Sequence, residues 1–128
     1  MKIAVLGLGR MGHAICERLL EGGHHLTVWT RSNGKADQLL ERGALQVETI
    51  DDAVASAEVA ITSLANDDAV RQTALGEGGI HDAIGDGTYV DCSTISRSLS
   101  AQLGERFTRF VALPVLGAPQ AVRSGEAT

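Results

Sequence analysis

The residues whose types and spacing could do chemistry come early, as Gly7-Leu8-Gly9-Arg10-Met11-Gly12, in the pattern G-x-G-x-x-G. An apolar run at 3–6 precedes them, and a helix-like segment at 11–20 follows at once. A buried strand that turns sharply into a helix reads this way. Gly7 allows the tight turn, Gly9 lets the backbone approach a pyrophosphate, and Gly12 lets the helix pack closely on the strand. The N–H groups of the helix start, at the positive end of its dipole, can then hold phosphates. The chemistry is that of dinucleotide binding.

A second group selects the nucleotide. In NAD-binding units an Asp or Glu about twenty residues past the glycines holds the ribose hydroxyls. Here the end of the second strand carries Thr30, Arg31 and Ser32, with no carboxylate in place. Arg31 can pair with a 2′-phosphate through its fork of donors, and its plane can stack on adenine. Thr30 and Ser32 add hydroxyls, and Lys35 adds charge from the next turn. The plainer reading of Arg31 is a solvated turn residue. With the glycine loop beside it, the pattern predicts NADP(H), with NAD(H) as the alternative.

Helices and strands must bring these groups together. Met11, Ile15 and Leu19 recur every four residues, and Ala14 and Leu20 widen the stripe. Residues 11–20 are thus a helix with one buried face, stopped by Gly22-Gly23. The run 25–29 is a β-branched and aromatic strand. Further on, 35–42 reads as a short helix ended by Gly43, 45–47 as a weak strand, and 51–57 as a helix with acids at its start. The fourth strand is 59–64, and Asn66-Asp67-Asp68 cap a helix to about residue 75. After a loop at 76–79, 80–84 makes one helical turn. A strand at 88–92, a helix at 96–107 and a strand at 110–113, closed by Pro114, complete the order. Strands alternating with helices predict an α/β fold: a Rossmann-type, doubly wound, mainly parallel sheet with helices on both faces. Ligands in such sheets bind at the carboxyl ends of the strands. The positions of interest are therefore the glycine loop, 30–32, 64–67 and 93–95.

At 128 residues the chain is one domain's worth, and its formal net charge of −5 argues against a nucleic-acid groove. No apolar stretch approaches the roughly twenty residues of a membrane span, and the first apolar run is too short for a signal peptide. Cys16 and Cys92 have no metal-like spacing and read as reduced thiols of a cytoplasmic protein. The 4 histidines form no ligand pattern, so no metal is expected.

Two later stretches, Asp91-Cys92-Ser93-Thr94-Ile95-Ser96 and Leu113-Pro114-Val115-Leu116-Gly117-Ala118-Pro119, join the glycine loop and Thr30-Arg31-Ser32 in one order. Together they resemble the β-hydroxyacid dehydrogenase family. That family includes 3-hydroxyisobutyrate dehydrogenase, tartronate semialdehyde reductase and the cofactor domain of 6-phosphogluconate dehydrogenase, and imine reductases are similar over this region. The resemblance implies that Gly7, Leu8, Gly9, Arg10, Met11 and Gly12 hold the pyrophosphate. It implies that Leu64, Ala65 and Asn66 line the nicotinamide-ribose side, with Val70 near the adenine. It places Thr94 beside the nicotinamide, and Ser93, Leu116, Gly117 and Ala118 toward a small-molecule substrate.

The chain departs from the family at Ala112 and Leu116, where the family has an acid and a carboxylate-binding serine. That change favours an aldehyde, ketone or imine over a small hydroxy acid. The family's catalytic lysine lies beyond Thr128, and no lysine here follows Lys35. The expectation is one NAD(P)-binding domain over 1–128 that lacks the family's C-terminal helical domain, turns over weakly or not at all alone, and self-associates to cover its apolar surface. Two other readings are a nucleotide-binding module without catalysis and a different reductase, such as pyrroline-carboxylate or ketopantoate reductase.

Overall fold

The computed structural model describes residues 1–30 and 36–113. Arg31, Ser32 and Lys35, of the nucleotide-selecting group, lie outside the described residues, as do Leu116, Gly117 and Ala118. The elements in chain order are β1 (Lys2–Leu6), α1 (Arg10–Glu21), β2 (His25–Trp29), α2 (Asp37–Glu41), β3 (Leu45–Gln46) and α3 (Ile50–Val54). They continue with β4 (Val59–Thr62), α4 (Asp67–Leu75), α5 (Ile80–Ala83), β5 (Thr88–Asp91), α6 (Arg97–Arg106) and β6 (Phe110–Ala112).

Among the described residues the strands form one 6-stranded sheet in the order β3-β2-β1-β4-β5-β6. Every neighbouring pair is parallel. This is the doubly wound order in which the chain starts at the centre, builds one half, and crosses to build the other. Period-two alternation in β1 sorts the core. Ile3 and Val5 face α1 and α2, packing with Ala14, Ile15, Cys16 and Leu39. Ala4 and Leu6 face the other side, with Val54, Val70, Ile80, Tyr89, Leu99 and Leu103. Both faces are covered, as a parallel sheet requires.

Most expected elements form with trimmed ends, for local reasons. In α1 the buried face is Gly12, Ala14, Ile15 and Cys16, and Gly23 with φ +80 turns the chain out of the helix. Expected over 96–107, α6 uses Ser96 and Phe107 as its caps. The helix expected over 51–57 covers Ile50–Val54, because Thr49 accepts the Asp52 N–H and sets its start. The two-residue β3 is exposed throughout, and Val47 adds one bond from its N–H to the Val28 carbonyl without extending the strand. The larger difference is in β4, which ends at Thr62 rather than Leu64. The Ser63 N–H still reaches the Leu6 carbonyl, but the Leu64 N–H leaves the ladder for a side chain of the next strand's loop.

Candidate dinucleotide site

At the centre of the sheet β1 and β4 are neighbours whose following helices cover opposite faces. A crevice opens at such a point, above the carboxyl ends of the strands. The glycine loop fills the β1 side of it. Gly7 has φ +106, and a Cβ there would come within 2.5 Å of the Ser63 carbonyl oxygen and 2.6 Å of Leu64 Cδ2. A Cβ on Gly12 would run into the carbonyl oxygen of Gly7. The two glycines hold loop, helix and β4 at a distance no side chain permits. Gly9 differs: among the described residues nothing lies within 4 Å of the place its Cβ would take. Its open side is where a ligand could approach the backbone.

The helix start is prepared for the same ligand. Thr49, Asn66 and Ser96 cap α3, α4 and α6 with side-chain oxygens, and α3 and α4 carry acids in their first turns. By contrast, α1 begins at Gly9 with no side-chain cap and no acidic residue in its first turn. Its first N–H groups have no intrahelical acceptor, and the positive end of a 12-residue helix lies beneath them. Arg10 is exposed at this end. An anion such as a pyrophosphate fits the donor set.

A cleft of about 370 Å³ collects the expected residues Gly7, Leu8, Gly9, Arg10 and Met11, with Thr30 from the end of β2 and Leu64 and Ala65 after β4. Leu8 turns its side chain into the core, so it offers the cleft its backbone. Trp29 and Ser63 complete the lining. Neither was assigned from sequence, although each ends or follows a strand, which is the available signal. Trp29 and Thr30 also border a second, larger hollow of about 800 Å³, lined by Ala44, Gln46 and Glu48. Another pocket, by Lys2, His25 and Ser56, lies at the amino ends of the strands, where such sheets do not bind ligands.

Several expected positions have other roles. Val70, expected near adenine, is sealed in the core with Leu6, Ala60 and Tyr89 and presents no surface to a ligand. The Asn66 side chain accepts the Ala69 N–H at 2.9 Å and caps α4 rather than lining the cleft. Ser93, expected toward substrate, is buried, and its Oγ accepts the Leu64 N–H at 2.8 Å. Thr94 is exposed on the loop just after it, outside the cleft lining.

The loops after β4 and β5 are braced together. Besides the Leu64–Ser93 bond, the Cys92 N–H donates to the Thr62 carbonyl at 2.8 Å, and the Ser96 N–H donates to Asp67 Oδ1 at 2.9 Å. The Ser96 hydroxyl first, then its amide, hold the Asp67 carboxyl below the usual carboxylate range, with Arg71 helping less. A carboxyl lowered in the fold stabilises above its ordinary value, and that contribution is lost as pH falls through the folded value. Urea midpoints measured from pH 5 down to pH 2 should therefore fall more steeply for the native chain than for Asp67→Asn. Asp91 is the opposite case. Burial raises its carboxyl, partly opposed by bonds from Thr62 and Ser93, so its neutral form is favoured at low pH and this contribution fades as pH rises through the raised value. Burial also pushes the thiols of Cys16 and Cys92 up, to about 12 and about 11, so neither offers a thiolate near neutrality. Among the described residues no group of three or more His, Cys, Asp or Glu could hold a metal ion, and no helix is long and apolar enough to cross a membrane.

Sheet order, glycine loop and uncapped helix start define a dinucleotide-binding domain of the Rossmann class. The family model described as the NAD binding domain of 6-phosphogluconate dehydrogenase matches residues 2–128, and the chain belongs to that family. It is 40% identical over 126 residues to YfjR, an uncharacterized oxidoreductase of Bacillus subtilis (strain 168), covering 94% of this chain and 44% of that protein. It is 33% identical over 131 residues to glyoxylate/succinic semialdehyde reductase 1 of Arabidopsis thaliana, covering 98% of this chain and 45% of the reductase. Among solved structures, the reductive aminase from Aspergillus terreus in complex with NADPH and ethyl-5-oxohexanoate superimposes with a TM-score of 0.82 at 31% identity, over 94% of this chain and 42% of the aminase. The chain thus spans less than half the length of each of these proteins.

Proposed function

We propose that the chain is the cofactor-holding part of an NADP(H)-dependent oxidoreductase that moves hydride to or from a small carbonyl or imine carbon. The observation that carries the reading is the open face of Gly9 above the uncapped start of α1, within a cleft that also takes in Thr30 and Leu64. NADP(H) supplies the hydride chemistry. The chain's own groups bind and orient it: first-turn N–H groups and Arg10 on the pyrophosphate, Thr30, Arg31, Ser32 and Lys35 on the 2′-phosphate, and Leu64, Ala65 and Thr94 toward the nicotinamide. Leu116, Gly117 and Ala118 face the substrate in this reading, and the apolar Leu116 suits a carbonyl or imine that lacks a carboxylate. The relatives support a carbonyl or imine carbon as the reacting centre: one is a glyoxylate/succinic semialdehyde reductase, whose aldehydes carry a carboxylate, and one a reductive aminase in complex with a keto ester, which carries none. Two unpaired cysteines suit a reducing, cytoplasmic setting.

The test is a titration with NADPH and NADH followed by the fluorescence of Trp29, which lines the cleft. NADPH should bind about tenfold more tightly than NADH, as expected for a lost charge-assisted contact worth about 1.4 kcal/mol or more. Changing Thr30 to Asp together with Arg31→Leu should reverse that order. An unchanged ratio in the double variant would refute the selector, and no binding of either nucleotide would refute the site.

A further inference from the structure

Four strands end in one row across the sheet: Leu6 of β1 pairs with Thr62 of β4, Thr62 with Asp91 of β5, and Asp91 with Ala112 of β6. Two members of this row are buried and polar, Thr62 fully and Asp91 to within 1%. Thr62 Oγ1 donates to Asp91 Oδ1 at 2.6 Å. A hydroxyl has one hydrogen, so the Tyr89 hydroxyl, 2.8 Å from Thr62 Oγ1, must be the donor in that second bond. The Ser93 N–H also donates to Asp91 Oδ1, at 3.3 Å, and Ser93 Oγ accepts the N–H of Leu64. A single hydrogen-bonded path thus runs from the core under α6, through Asp91, to a wall of the cleft.

Stability alone is a poor account of this path. A buried acid costs free energy, and among the described residues no cation lies on the path and Asp91 Oδ2 has no hydrogen-bond partner. Nearby Asp67 raises the cost further by repulsion. What the network supplies is geometry. It fixes Ser93 so that its Oγ draws the Leu64 N–H off the β4 ladder and sets residues 63–65 against residues 92–94.

We propose that Asp91 is a positioning residue for the nicotinamide half of the cofactor, acting through Ser93 on the Leu64 wall of the cleft. The proposal rests on the NADP(H) reading above. It separates two halves of one ligand. In this reading the adenosine half lies toward Thr30 at the end of β2, with β1 and β4 between it and Asp91, and the nicotinamide half lies toward the braced loops.

The 128-residue protein and its variants are titrated with NADPH and with 2′,5′-ADP, which carries the adenosine half alone. Asp91→Ala and Ser93→Ala should weaken NADPH about five- to tenfold, the size of one lost hydrogen bond to a positioned wall, and leave 2′,5′-ADP within about twofold. Asp91→Asn keeps an oxygen that accepts from Thr62 and Ser93, so it should restore NADPH affinity to within about twofold of the parent. Equal weakening of both ligands would overturn the proposal, as would unchanged NADPH affinity or an Asn variant no better than Ala. Should Asp91→Ala fail to fold, Ser93→Ala and Asp91→Asn decide the matter by the same comparison. If the parent binds 2′,5′-ADP and NADPH but the variants do not discriminate, the cofactor reading stands and this proposal alone fails. If the parent binds neither, both fail.

Discussion

Gly9→Ala is expected to bind NADPH about thirtyfold more weakly while remaining folded, with a stability change of no more than about 1 kcal/mol. Few substitutions in a folded domain separate binding from stability so cleanly. Gly9 has φ −69 and ψ −173, extended backbone that alanine adopts without strain, and its new Cβ meets no atom of the described residues within 4 Å. Two small effects oppose each other: alanine is a poorer N-cap than glycine, and it lowers the entropy of the unfolded chain. On the ligand side nothing offsets the methyl group. It occupies the open face through which a pyrophosphate would reach the first-turn N–H groups. Holding the phosphates further out loses charge-assisted bonds worth about 2 kcal/mol together, which is the thirtyfold. Isothermal titration gives the affinity and a urea melt the stability. A variant that binds as well as the parent would show that the open face is not the approach path.

Gly7→Ala should do the reverse and act first on the fold. It places an L side chain at φ +106 and drives its Cβ to 2.5 Å from the Ser63 carbonyl oxygen. The neighbour is backbone at the end of β4, which cannot swing aside as a side-chain tip could. Backbone strain of about 1–3 kcal/mol and overpacking of about 1–3 kcal/mol combine, so the variant should lose about 3 kcal/mol and melt roughly 10 °C lower. Gly12→Ala meets the Gly7 carbonyl oxygen and should behave alike. Because the Gly12 contact is with Gly7 itself, one shift of the loop can relieve both clashes, and the double variant should cost less than the sum. A thermal midpoint within about 2 °C of the parent for either single variant would mean that the loop relaxes without resistance.

The contrast among these three glycines was partly legible in the sequence. The spacing G-x-G-x-x-G assigned each a task, and the structure gives the tasks distinct surroundings: backbone against Gly7 and Gly12, open space beside Gly9. What spacing could not show is which residues press on Gly7. Ser63 and Leu64 are more than fifty residues away in the chain. They reach it because β4 pairs with β1 and because β4 stops at Thr62, two residues short of the expected end.

By itself the sequence determined the strand–loop–helix unit, the alternation of strands with helices, the two-faced core and the sheet end at which the cleft opens. These follow from local periodicity, glycine spacing and capping residues, which act over a few residues and leave their pattern in the chain. The tertiary structure alone decided how individual side chains around the cleft are used. Asn66 caps α4 as its sequence pattern implies, but Val70 and Ser93, both expected beside a ligand, instead seal the core and hold the Leu64 amide. The Tyr89–Thr62–Asp91 path likewise exists only because β4 and β5 lie in register. The physical reason is that a side chain offers few bonding directions. Whether a ligand or a neighbouring segment takes them is settled by packing between parts of the chain that local pattern does not connect.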